Sequence, residues 1–337
     1  MKAALVVKAS LAIAGTFAGA ALLASLTGVF AGPLPLKMVA DVPLSGNATR
    51  FDYESLDPQS GMLYIAHMGD GAVVAFDIKR RKVIATIPGV PLVRGVLAVS
   101  QLHRVFAASE GGHDVAVIDM RSNRIVARIP AGDVDGLAYD PVGKRVFVSD
   151  ESGQRDVVID AVKNRVIGAV QLGGEAGNTV YDAQSGHILV AVQTTNELVE
   201  IDPAREKVIG RFALPGSSHS HGVALDEKAH FAYIAGELNA SVVAFDLRRK
   251  RVTSHASVGI GIDVLSVDPA LSRLYAASES GIVSAFDMSS GNLHKLGQGV
   301  LGNNAHVVAA DPKTHLVYFP LRDVRGEPML RIMTPRK

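Results

Sequence analysis

The segment Ser217-Ser218-His219-Ser220-His221-Gly222 carries the sharpest chemical signal in the sequence. Residues i and i+2 of an extended chain project to the same side, so His219 and His221 are placed to chelate one metal ion. The chain contains no cysteine, which excludes thiolate zinc sites, iron–sulfur clusters, cysteine nucleophiles and disulfides. Any metal centre must therefore be built from imidazole and carboxylate, a donor set that suits one ion of zinc, copper, iron or nickel. Ser217, Ser218 and Ser220 lie beside the histidines, but no strand–elbow–helix pattern surrounds them, so seryl hydrolysis is not expected. The stretch Gly173-Gly174-Glu175-Ala176-Gly177-Asn178 precedes no helix and reads as a turn between repeats, with Glu175 and Asn178 as polar candidates beside His219.

Further ligands must come from other elements, and an internal repeat identifies them. A hydrophobic unit with a bulky second residue recurs through the chain, that residue being Tyr64, Phe106, Phe147, Leu189, Tyr233, Tyr275 and Tyr318. The steps are 42, 41, 42, 44, 42 and 43 residues. Aspartates keep the same phase: Asp57, Asp140, Asp182, Asp226, Asp268 and Asp311 before six of the seven markers, the second repeat having Val99-Ser100 instead, and Asp77, Asp119, Asp160, Asp202, Asp246 and Asp287 after the first six. Carboxylates at strand ends accept the N–H groups of the turn that follows. Each period holds four short β-like runs and no helical pattern. Four strands per repeat of roughly 40–50 residues predict an all-β, seven-bladed β-propeller with four antiparallel strands per blade. The seventh repeat ends after its third strand, Leu330-Arg331-Ile332-Met333, while Lys37-Met38-Val39-Ala40 resembles the fourth-strand run Lys82-Val83-Ile84-Ala85. Residues 37–43 are therefore expected to close the last blade.

The register names the ring at the mouth of the central channel. One position yields Asp52, Arg94, Asp135, Gly177, His221, Asp263 and His306. Two residues earlier come Arg50, Leu92, Asp133, Glu175, His219, Gly261 and Asn304. His219, His221, Asp263 and His306 form the expected metal set, and Arg50, Asp52, Arg94, Asp135, Glu175 and Asn178 the surrounding ligand-binding set. Carboxylates about 8–10 Å apart repel by about 2 kcal/mol per pair at an effective dielectric of about 20. A cation, protonated histidines or pairing with Arg50 and Arg94 would relieve that repulsion. Loops that rim this face contribute His67, Asp70, Glu110, His113, Asp114, Asp150, Glu151, Asn196, Glu237 and Glu279, read as mostly solvated charges.

Composition narrows the partners. With 34 Lys+Arg against 33 Asp+Glu the chain has a formal net charge of +1, which offers no bulk attraction to nucleic acid or anionic lipid. Basic turns such as Lys79-Arg80-Arg81-Lys82 and Arg248-Arg249-Lys250-Arg251 lie on the opposite face, next to aspartates, and read as a solvated surface. Lys2 and Lys8 precede an uncharged run, Ala9–Ala31, that ends in Val29-Phe30-Ala31, the layout of a cleaved export signal. Residues 1–31 are thus expected to be removed and 32–337 to form a single monomeric domain in the periplasm or secreted, with no other contact to the membrane.

The Tyr64-Ile65-Ala66-His67 unit, the runs closing on aspartate and strand ends such as Ile129-Pro130-Ala131-Gly132 resemble the YVTN-repeat family of seven-bladed propellers over residues 33–337. The resemblance implies fold and export, and a relation in fold to propeller lactonases, without identifying an activity. The leading expectation is a binding protein for a small ligand or protein partner at the mouth. A metal-dependent hydrolase of lactonase type, with Asp135 or Glu175 as base, and a structural cell-envelope propeller are the alternatives.

Overall fold

The computed structural model describes residues 32–336; the export signal expected at 1–31 lies outside them. The described chain begins with β1 (Leu36–Pro43), followed by β2 (Glu54–Asp57), β3 (Met62–His67), β4 (Ala72–Asp77) and β5 (Lys82–Pro88). Strands β2 to β5 make blade 1, and blades 2 to 6 repeat that order over residues 93–130, 134–171, 176–213, 220–257 and 262–300. Blade 7 consists of β26 (Ala309–Ala310), β27 (Val317–Val324), β28 (Glu327–Pro335) and, on the outside, β1. The seven-bladed architecture expected from the repeat is borne out. Among the described residues no helix is long and apolar enough to cross a membrane.

Each blade is apolar on both faces, because residues alternating along its middle strands point to opposite neighbours. Leu63 and Ile65 pack towards blade 7, whereas Tyr64 and Ala66 pack towards blade 2. The hydrophobic core is accordingly a ring of seven clusters, each straddling two adjacent blades, the last joining Leu63 to Tyr318. The marker residues Tyr64, Phe106, Phe147, Leu189, Tyr233, Tyr275 and Tyr318 are all buried in it. The strand-end aspartates serve the turns as expected: Asp140 accepts the N–H groups of Val142 and Gly143 at 2.9 and 3.0 Å, and Asp160 those of Val162 and Lys163.

The closing strand repeats the outer strands in detail. β1 pairs antiparallel with β28, with a one-residue bulge between Met38 and Ala40. β5 carries its bulge between Val83 and Ala85, at the residues matched to these in the sequence. The extra residues, Val39 and Ile84, are exposed, as are Val126, Ile167 and Ile209 at the corresponding bulges of blades 2 to 4. Bulges on free edges twist the strand away from further pairing.

One buried carboxylate links blades 3 and 4. Asp156 Oδ2 accepts the Thr179 hydroxyl at 3.0 Å, while Oδ1 has no partner. Burial pushes its carboxyl up to about 7, with the Thr179 hydrogen bond opposing the shift.

Two outcomes follow. Deleting residues 37–43 should lower the melting temperature by at least about 10 °C, the equivalent of several kcal/mol for a chain of this size; an unchanged melt would exclude the closing role. Asp156 is neutral in folded and unfolded chains below about pH 4, and above its folded value it is charged in both. Its burial therefore lowers stability progressively from about pH 4 to about pH 7. Asp156→Asn, which keeps an acceptor for Thr179, should raise the melting temperature by several degrees at pH 8 and little at pH 4.5. An equal gain at both pH values would contradict the titration.

Candidate functional site

A repeat along the chain becomes a rotation about the propeller axis, so equal positions in successive repeats face one another across the channel. His221 Nε2 lies 3.3 Å from Asp135 Oδ2 and 3.6 Å from Asp263 Oδ1. His306 Nε2 lies 3.9 Å from Asp52 Oδ1 and 3.7 Å from Asp263 Oδ2. Asp52, Asp135 and His306 are buried. Two glycines permit this convergence. A Cβ on Gly95 would stand 2.1 Å from the Asp135 carbonyl oxygen, and one on Gly222 1.9 Å from that of Asp263. Any side chain there would push the inner strands, and the ring residues they carry, apart.

The acidic groups are closer than their spacing in the ring suggested. The ligand atoms of Asp52, Asp263 and His306 lie within 4.8 Å of one another, as do those of Asp135, Glu151 and His221. Burial pushes the Asp52 carboxyl up to about 6, with His306 opposing and Asp263 reinforcing the shift. Burial and the charge of Asp135 push Glu151 up to about 7 against the pull of Arg94. For His221 burial favours the neutral ring, but Asp135 and Asp263 outweigh it and raise the imidazole to about 10. His306 is raised against burial by Asp52 and Asp263.

His219 does not join His221. It sits in the left-handed region at φ 58°, as do Leu92 and Asn304 at the same repeat position. The i, i+2 alternation of an extended strand therefore breaks, and the ring turns to Glu237, Nδ1 to Oε2 2.9 Å. His219 lines the mouth but belongs to neither cluster of ligand atoms. Glu175 also lines the mouth. Asn178 is not beside His219; it lies at the axis and donates from Nδ2 to Tyr53 Oη at 2.5 Å.

The arginines are claimed by the rim. Arg94 donates to Glu110 and Glu151 at 2.8 and 2.7 Å. Arg50 donates to Glu279 at 2.5 Å and stays 3.9 Å from both Asp52 and Asp263. Four charges read as solvated, Glu110, Glu151, Glu237 and Glu279, thus turn inwards to partners at the mouth.

Tyr53 escaped the sequence reading. Its hydroxyl donates to Asp263 Oδ1 at 2.8 Å and accepts from Asn178, so the side chain reaches from blade 1 to blades 4 and 6. A signal was present: the residue after the ring position is Tyr53, Gly95, Gly136, Asn178, Gly222, Val264 and Val307, and Tyr53 alone is large. Tyr53 lines both the mouth cavity, of about 390 Å³, and a second cavity of about 300 Å³ lined by the inner strands. Around the mouth stand seven carboxylates, those of Asp52, Asp135, Glu151, Glu175, Glu237, Asp263 and Glu279, against two arginines. Such a cavity can hold cations, through imidazole nitrogen and carboxylate oxygen.

No family model matches the chain, and no curated protein matches it. Solved structures do. The chain is similar to the structure titled Kuenenia stuttgartiensis Hydrazine Synthase, with a TM-score of 0.73 and 12% identity, over 85% of this chain and 96% of that one. It is also similar to a structure of U3-55K, with a TM-score of 0.75 and 12% identity, over 90% of this chain and 100% of the other. At that identity the likeness is one of fold, and it places the chain among proteins of seven-bladed propeller architecture.

Proposed function

We propose that this chain is an exported binding propeller of the YVTN-repeat type whose mouth takes a divalent cation, alone or carrying a small ligand, on Asp135, His221 and Asp263. One observation carries the reading: seven carboxylates converge on a cavity with two arginines, and both arginines are already held by glutamates. A concave, acidic, imidazole-bearing pocket selects for positive charge, and its mixed nitrogen and oxygen donors favour zinc or another first-row transition ion over magnesium. The fold is compatible with a binding role, and its inner strands hold the donors on rigid elements. Export is supported by the composition of residues 1–31 and the YVTN assignment by the repeat motifs.

A hydrolytic reading is favoured by a specific feature: Asp135 and Glu151 stand in the same cluster as His221, where a base would be needed beside a metal-bound water. Screening aldonolactones with and without chelator separates binder from hydrolase.

Metal content and zinc titration calorimetry on the purified protein test the binding reading. Saturating zinc should raise the melting temperature, since ligand at a hundred times its Kd contributes about 2.7 kcal/mol. His221→Ala should weaken binding about a hundredfold or more. Absence of bound metal together with a melt unmoved by zinc, copper, iron or nickel would overturn it.

A further inference from the structure

Asp263 shows each of its two oxygens to a different histidine, Oδ1 to His221 and Oδ2 to His306. We infer that the mouth holds two divalent cations bridged by the Asp263 carboxylate, one on Asp135, Glu151 and His221 and the other on Asp52 and His306. The inference deepens the single-ion reading above and rests on it.

The case for the second position stands on His306. Its side chain is fully buried. Nδ1 lies 2.9 Å from the Asn304 carbonyl oxygen, which places a proton on Nδ1, so the neutral ring carries its lone pair on Nε2. Metal-bound histidines are oriented by this kind of backbone contact. Nε2 has no hydrogen-bond partner. It faces the gap between Asp52 and Asp263 at 3.9 and 3.7 Å, too far for a hydrogen bond. Ligands about 2.0–2.2 Å from one ion stand roughly 3–3.5 Å apart, so the two His306 distances would shorten by about 0.2–0.9 Å to bring Nε2 and both carboxylates onto one ion. Once the imidazole is neutral, Nε2 and the two carboxylates all offer lone pairs to one point, and a cation there would bond to each.

The first position has its own orphan. Asp135 Oδ1 is buried without a partner, in the cluster that contains Glu151 and His221. Arg50 does not substitute for either ion. Its hydrogen bond is to Glu279, and it stays 3.9 Å from both Asp52 and Asp263. A carboxylate shared by two ions about 3.5–4 Å apart is the spacing of two-metal centres, which clamp an anionic oxygen between the metals. The ligand class implied is therefore a small phosphate or carboxylate ester or acid, seated on the metal pair.

Stoichiometry decides the matter. Metal-free protein titrated with zinc should bind two equivalents, and titration with manganese(II) should give the electron paramagnetic resonance signature of a spin-coupled pair. His306→Gln should bind one equivalent and lose the coupling, while the melt of its metal-free form stays within a few degrees of wild type. One equivalent with an uncoupled signal in the wild-type protein would overturn the bridge and leave the single-ion reading standing. No binding at all would overturn both. Because the decisive signal is read on wild-type protein, failure of the His306→Gln variant to fold leaves the test intact.

Discussion

A four-stranded sheet with two apolar faces is not stable until each face meets another of its kind. That requirement governs this molecule. Seven such sheets satisfy one another only in a closed circle, and the circle closes because β1 completes the sheet begun by β26, β27 and β28. Leu63 and Tyr318, far apart in the chain, share one core cluster for this reason. A linear stack would leave two greasy ends, and a ring has none.

Closure also dictates where chemistry can occur. Around the axis the inner strands crowd together, and glycines such as Gly95 and Gly222 let the backbones of neighbouring blades touch. Each strand then delivers one side chain to a common ring, so a mutation that changes one residue in one repeat changes one position on a circle. The chain has used that freedom to gather carboxylates and imidazoles with the excess of negative charge that the rim arginines leave unbalanced. Holding Asp52 and Asp263 beside His306 opposes folding unless protons or cations share the site.

Much of this was legible before any coordinates. The seven markers and phased aspartates predict blades, turns and the closing strand, because a repeat of period near 42 forces every copy into the same place in its sheet. The convergence of Asp52, Asp135, His221, Asp263 and His306 follows from register alone. What register does not carry is backbone conformation and reach. Residue type alone does not mark His219 for the left-handed region, so its side chain was aimed wrongly. Glu151 sits on a rim loop, and its inward turn depends on Arg94 from the preceding blade. Tyr53 lies one residue off the ring, and its role comes from the length of its side chain and not from its place in the repeat.

Tyr53 has a wider consequence for how this propeller exchanges what it holds. With its hydroxyl fastened to Asp263 on one side and Asn178 on the other, the ring stands between the two ends of the axial space. Tyr53 thereby stands at the division between the mouth cavity and the inner cavity. A ligand held among the ring residues would pass Arg50 and Arg94 and the glutamates that pin them on its way from the mouth. Exchange of such a ligand would then depend on how readily those rim ion pairs part, since His306, fully buried, lies out of direct reach of solvent.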